Sequence, residues 1–274
     1  MAVVFKKDIR PWEGECTPPY PYAYLTNPFP GGILTSVCSS FEDLDGHGHG
    51  VKLEALVMLP SAAMTVSNLV SGLDFKKLAL KLRNINCFFS MARDRDPGRI
   101  YPDPATGVPR IEYTPSPFDT ANIMEGYVAL AKICYVEGAT EIYVPLPGVP
   151  PFIREPEDGS AAPVEADDLD AGVTDPRFVA WLKELQRVGN KPPGAIFASA
   201  HQMGTNRMSV REKDGVVDPK GRVWGTEDLY VSDASVFPSA SGVNPMVTNM
   251  AISDWISRGI SKELRSGNGK GARL

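Results

Sequence analysis

Residues 198–250 say more about the fold than any other part of the chain. They open Ala198-Ser199-Ala200-His201-Gln202-Met203-Gly204-Thr205-Asn206-Arg207-Met208 and continue Asp218-Pro219-Lys220-Gly221-Arg222-Val223-Trp224-Gly225-Thr226. Next comes Tyr230-Val231-Ser232-Asp233-Ala234-Ser235-Val236-Phe237-Pro238, and the stretch closes Gly242-Val243-Asn244-Pro245-Met246-Val247-Thr248. His201 is the only histidine in it. A neutral imidazole is suited to taking a proton near pH 7. The carboxamide of Asn244 keeps the same charge across pH, so it can orient a hydroxyl without competing for that proton. Each residue also has a plainer reading. A lone histidine is commonly structural, Asn244 can cap the helix that follows, and Asp233 can end a strand in a turn.

On the C-terminal side, Asn244-Pro245 opens a final helix. Val247, Ala251, Trp255 and Gly259 form one stripe, with Ile252, Ile256, Ile260 and Leu264 on the next. A stripe that wide predicts burial between layers. On the N-terminal side, Asp175 caps a helix with Pro176 in its first turn. Phe178, Trp181, Leu182, Leu185 and Val188 recur at helical spacing before Gly189. Residues 145–172 hold six prolines and many acids and read as a solvated linker or lid. A helix capped by Ser116, with Pro117 in its first turn and Gly138 at its stop, precedes the strand Glu141–Val144. Strands are expected at 31–39, 51–59, 85–91, 98–101 and 109–113. The short turns between the later ones favour antiparallel neighbours. Residues 1–30, rich in proline, read as a connector.

The whole chain has 274 residues, is 43% hydrophobic and carries a formal net charge of -5. These are globular proportions, and the mild acidity argues against nucleic acid as a partner. Cys16, Cys38, Cys87 and Cys134 lie far apart, without a Cys-x-x-Cys pair, so reduced thiols are expected rather than a metal cluster. His47 and His49, in Gly46-His47-Gly48-His49-Gly50, have no third ligand in sequence and read as part of a flexible loop, with no metal. Lys76, Lys77 and Lys81 form either a solvated helix face or a contact with a membrane surface.

The quoted words resemble the C-terminal part of the glucose-methanol-choline flavin oxidoreductases, and within them the long-chain fatty alcohol oxidases. His201-x-x-Gly204-Thr205, Gly221–Thr226, Tyr230–Pro238 and Gly242–Met246 occur in that family's order and spacing. Upstream, Ile9–Gly14 and His49–Glu54 extend the likeness. The resemblance implies an α+β fold, with an antiparallel-sheet substrate domain bearing helices on one face and the C-terminal part of an FAD-binding domain. It divides the chain into 1–30, belonging to the flavin domain, 31–172, the substrate domain, and 173–274, completing the flavin site. It makes His201 the catalytic base and Asn244 its partner on the alcohol oxygen. It assigns Asp233, Ala234, Pro245 and Met246 to the cofactor, FAD, with a long-chain alcohol and O2 as reactants.

The family's Gly-x-Gly-x-x-Gly word, which would hold the dinucleotide, does not occur here. Two readings follow. One is the C-terminal half of an alcohol oxidase whose N-terminal half lies elsewhere, leaving apolar surface on the last helix and on residues 1–10. The other is an inactive remnant that binds a partner. Ala272-Arg273-Leu274 resembles a peroxisomal address and implies an intracellular protein.

Overall fold

The computed structural model describes residues 1–7, 36–56, 64–69, 71–155, 170 and 172–266. The expected connector over 8–30, most of the 31–39 strand, the acidic run over 156–169 and the terminal tripeptide lie outside them. The chain forms two compact units. Unit 1 comprises Met1–Ala92 and Pro115–Ile196, and unit 2 comprises Arg93–Thr114 and Phe197–Leu274.

Unit 1 is built on a six-stranded antiparallel sheet. Its strands are β1 (Ala2–Phe5), β2 (Val37–Cys38), β3 (Val51–Leu56), β4 (Ile85–Ala92), β7 (Ala139–Tyr143) and β8 (Phe152–Ile153), in the order β2-β3-β4-β1-β7-β8. Residues 1–5 are thus not part of a connector. They form an inner strand, with Ala2 opposite Cys87 on one side and Tyr143 on the other. Five consecutive apolar residues, buried on both faces of a sheet, show no alternation that would announce a strand. Residues 1–5 also expose nothing for a missing half, since Met1–Val4 are at most 4% accessible.

The pleat divides these residues between two cores. Val3, Phe5, Val51, Leu53 and Ile142 face helices α2 (Pro117–Val136) and α3 (Pro176–Val188). Ala2, Val4, Ile85 and Cys87 face Leu78 of the short helix α1 (Gly72–Ala79). The two long helices therefore share one face of the sheet, and α1 covers the other, so helices lie on both faces and not on one alone. Helix α2 starts as its sequence predicts: Ser116 Oγ accepts the Asp119 N–H at 3.1 Å, and Pro117 sits in the first turn. It lies very close to the sheet at Gly126, where an added Cβ would come within 2.2 Å of Ser90 Oγ and 2.8 Å of Val51.

Helix α3 belongs to unit 1 and not to a C-terminal segment. Its fully buried Phe178 stacks on Tyr135 at 4.2 Å, and Phe152 and Trp181 close the cluster. Burying one such ring removes enough apolar surface to stabilise the fold by roughly 2–3 kcal/mol. This cluster also corrects the expectation of a solvated lid from residue 145. Leu146, Val149 and Phe152 are core residues, and the Pro150 carbonyl accepts the Trp181 indole N–H at 2.7 Å. The prolines there shape a packed turn rather than a linker. Burial pushes the Cys87 thiol up to about 11 and the Cys134 thiol to about 12, in keeping with inert, reduced cysteines.

Unit 2 has little regular structure. Strands β5 (Arg99–Pro102) and β6 (Pro109–Glu112) were expected in the main sheet but form a separate hairpin, exposed on every residue. It pairs Ile100 with Ile111 and Pro102 with Pro109. The core of the unit is small: Val217, Val236, Phe237 and Ile256, flanked by Met203, Met208, Val223, Val231, Ile252 and Ile260. The long helix α4 (Met246–Arg265) crosses it. Only the Ile252-Ile256-Ile260 stripe of α4 faces this core. Val247 is 70% exposed and Trp255 66%, so burial of both stripes does not occur among the described residues. Their exposure matches the other expectation, of apolar surface left on the last helix. None of the described helices is long and apolar enough to cross a membrane.

Candidate active site

All six residues singled out in the sequence lie in unit 2. His201 sits in an irregular segment that is pinned further along its length. Gly204 N–H donates to Ala234 O (3.2 Å), Asn206 N–H to Ser235 O (2.8 Å) and Met208 N–H to Val236 O (2.8 Å). The fold therefore lays the His-x-x-Gly-Thr segment along the Asp233–Phe237 turn. Gly204 makes this approach feasible. Its φ of +83° is left-handed, and an added Cβ would lie 3.3 Å from Phe237 O. The His201 side chain is half-buried, and nothing among the described residues hydrogen-bonds its imidazole. Both ring nitrogens are thus open among the described residues, and one is enough to accept a proton.

Asp233 caps a one-turn 3-10 helix over Ala234–Val236, its carboxylate accepting the Ser235 N–H at 2.8 Å. The turn reading thus holds for Asp233. The cap uses Oδ1, and the residue is exposed, so its other oxygen can still meet a ligand. The Ala234 carbonyl accepts from both Gly204 and Phe237.

Asn244, Pro245 and Met246 lie together at the start of α4. The helix begins at Met246 with Pro245 in the cap position, and that residue provides no side-chain cap. Pro245 takes a helical ψ near 0 and supplies the carbonyl for the Asn249 N–H at 2.7 Å, which moves the boundary one residue on. The first-turn N–H groups, from Met246 to Thr248, have no acceptor within the helix and carry its partial positive charge. Asn244 and Met246 are exposed and Pro245 is half-buried. Asn249 Oδ1, one turn in, is buried without a partner among the described residues.

The far end of α4 is tied down by charge. Arg222 donates to Tyr230 (3.0 Å) and Glu263 (2.8 Å), and Tyr230 OH donates to the same carboxylate at 2.8 Å. The Tyr230 hydroxyl first, then Arg222 and Lys220, hold Glu263 below the usual carboxylate range against some desolvation. Gly221 is compulsory beside this network. Its φ is +80°, and a Cβ would meet Ile256 Cδ1 at 2.7 Å.

The histidine-glycine loop is built around one carboxylate. Despite some desolvation, the N–H groups of His47 and His49 and the His49 ring hold Asp45 down to about 2, and this carboxylate organises the histidine-glycine loop. No group of three potential metal ligands occurs among the described residues. One residue went unnoticed in the sequence: Arg93, whose Nε donates to the Ala240 carbonyl at 3.1 Å. It opens the run Arg93-Asp94-Arg95-Asp96, which looks like ordinary surface charge.

With this geometry in place, comparison with known proteins is informative. The family model for GMC oxidoreductases matches residues 94–253. The chain belongs to that family, whose members are FAD-dependent flavoproteins. Among characterised relatives, long-chain-alcohol oxidase FAO3 of Arabidopsis thaliana is 29% identical over 249 residues, which is 89% of this chain and 30% of that protein. FAO1 of the same plant is 29% identical over 243 residues, 86% of this chain and 28% of that one. Formate oxidase of Aspergillus oryzae is similar in structure, with a TM-score of 0.49 and 18% identity over 82% of this chain and 33% of that one. The chain spans about 30% of the length of these curated relatives.

Proposed function

We propose that this chain supplies the alcohol-oxidising end of an FAD-dependent long-chain-alcohol oxidase. The observation that carries the reading is the imidazole of His201, unpartnered among the described residues and followed by a segment that three backbone hydrogen bonds fix to the Asp233–Phe237 turn. The residues fit a flavin in their chemistry. The first turn of α4 offers N–H donors to an anionic acceptor, with Met246 first among them, while Asp233 and Ala234 flank the histidine segment as polar ligands. Asp233, Ala234, Pro245 and Met246 would hold that group.

His201 accepts the hydroxyl proton of the alcohol at an imidazole nitrogen. Asn244 donates its carboxamide N–H to the same oxygen and holds the carbinol carbon in line. FAD, when bound, supplies the acceptor for the hydride leaving that carbon; dioxygen is the terminal oxidant, and aldehyde and hydrogen peroxide are the products. The exposed apolar flank of α4, with Met246, Val247, Met250 and Trp255, is where further polypeptide of the kind present in the longer relatives would pack. That polypeptide would bring the dinucleotide cradle.

The test is the purified chain, alone and together with a flavin-binding segment from a long-chain-alcohol oxidase. Absorbance in the flavin bands reports binding, and peroxide formation with a fatty alcohol reports turnover. A His201→Ala variant that keeps bound flavin but loses at least about a hundredfold in turnover supports the role. Unchanged turnover ends it. Flavin binding with no alcohol-dependent peroxide in the unmodified protein would favour the inactive binding module.

A further inference from the structure

The loop that delivers Asn244 to the site, residues 240–245, has no regular secondary structure. Within the loop, Ser241 Oγ donates to the Val243 carbonyl at 2.7 Å. From outside it, the side chain of Arg93 makes two distinct contacts. Its Nε donates to the Ala240 carbonyl at 3.1 Å. Its aliphatic stem lies across the open face of Gly242, where an added Cβ would stand 2.9, 3.0 and 3.1 Å from Arg93 Cβ, Cγ and Cδ. Gly242 has a φ of +64°, which a side chain would strain even without that contact. The glycine thus has two reasons to be glycine, one conformational and one steric, and the steric one names Arg93 as its partner.

Arg93 directly follows β4 in the chain, so its backbone continues from a regular strand. Asn244 lies two residues beyond the clamped glycine, and the first free N–H of α4 lies two beyond that. An arginine is suited to this task. Its stem packs flat against a backbone while Nε donates in a fixed plane, which lysine cannot reproduce.

We propose that Arg93 is a positioning residue for the Asn244 carboxamide and the start of α4. It acts through the backbone of residues 240–242. This inference rests on the reading that Asn244 meets the alcohol oxygen, and it adds a residue which that reading does not include.

Hydrogen exchange on the 274-residue chain, without flavin or alcohol, tests the clamp. In Arg93→Ala the amides of Val243 and Asn249, which donate to Ser241 Oγ and to the Pro245 carbonyl, exchange roughly three- to tenfold faster, the loss expected for one net hydrogen bond and its packing. Arg93→Met keeps the stem and gives a smaller increase, and Arg93→Lys behaves like Arg93→Met. Arg95→Ala, on the neighbouring residue paired with Asp96, leaves these amides unchanged. In NMR spectra the Asn244 side-chain amide pair shifts in Arg93→Met, while resonances of Val217, Val236 and Ile256 stay in place. Unchanged exchange at Val243 and Asn249 in Arg93→Ala overturns the proposal. So does an equal acceleration across the whole core of unit 2, which would make Arg93 a general stabiliser. Turnover of Asn244→Ala in the flavin-loaded assembly judges the underlying reading separately. If the loop loosens in Arg93→Ala but Asn244→Ala turns over normally, the catalytic reading fails and the clamp is only a loop anchor.

Discussion

The two units divide their tasks. Unit 1 holds the layered core, with a six-stranded sheet, two long helices on one face and an aromatic cluster of Tyr135, Phe152, Phe178 and Trp181. None of the six candidate site residues lies in it. Unit 2 holds all six and has a buried core of four residues, with its segments fixed by turns, isolated bridges and a charged network. Regular structure satisfies its own backbone groups, whereas irregular segments must find partners one at a time. They also leave side chains and N–H groups free for a ligand, and binding groups concentrate in such places. In this molecule the larger core and the candidate site residues lie in different parts of the chain.

That contrast can be tested from its strongest side first. Phe178→Ala opens a cavity in the aromatic cluster and costs about 3–5 kcal/mol, read as a lower urea midpoint; a loss below about 1 kcal/mol would mean that the unit 1 core is not what it is taken to be. In unit 2, Gly221→Ala forces a side chain into a left-handed conformation against Ile256 and costs about 1–3 kcal/mol. Hydrogen exchange should place that loss at residues 217–231 and in α4. The smallest effect belongs to Val247→Ser on the uncovered flank of α4, within about 0.5 kcal/mol in the isolated chain. A larger loss would show that this flank is already covered.

How legible this was in the sequence depended on where each residue's signal lay. Helices α2 and α3 were readable because their signals are local: Ser116 with Pro117, Asp175 with Pro176, and apolar residues at helical spacing. The placement of α3 was not, because the pairing of Phe178 with Tyr135 spans 43 residues and leaves no mark in either segment. Strand β1 was missed because a doubly buried run of five residues has no period. The hairpin β5–β6 was found as strands, but nothing in Arg99–Pro102 or Pro109–Glu112 said that they would pair only with each other. At the candidate site, His201 and Asn244 were legible through their motif words, and Gly204, Gly221 and Gly242 through their positions in them. Arg93 was not. Its role depends on a carbonyl 147 residues away, and its neighbours in sequence disguise it as surface charge.

The proline pair of the exposed hairpin has one more consequence. A two-stranded ribbon open to water on all its residues is a natural template for stray strands from other molecules. Proline at 102 and its counterpart at 109 remove a hydrogen-bond donor from each strand at the same rung, beside the connecting turn. A foreign strand aligning there meets a gap in the ladder on whichever side it approaches. The ribbon can stay uncovered without seeding fibrous assembly, a safeguard written into the chain by two residues that face each other.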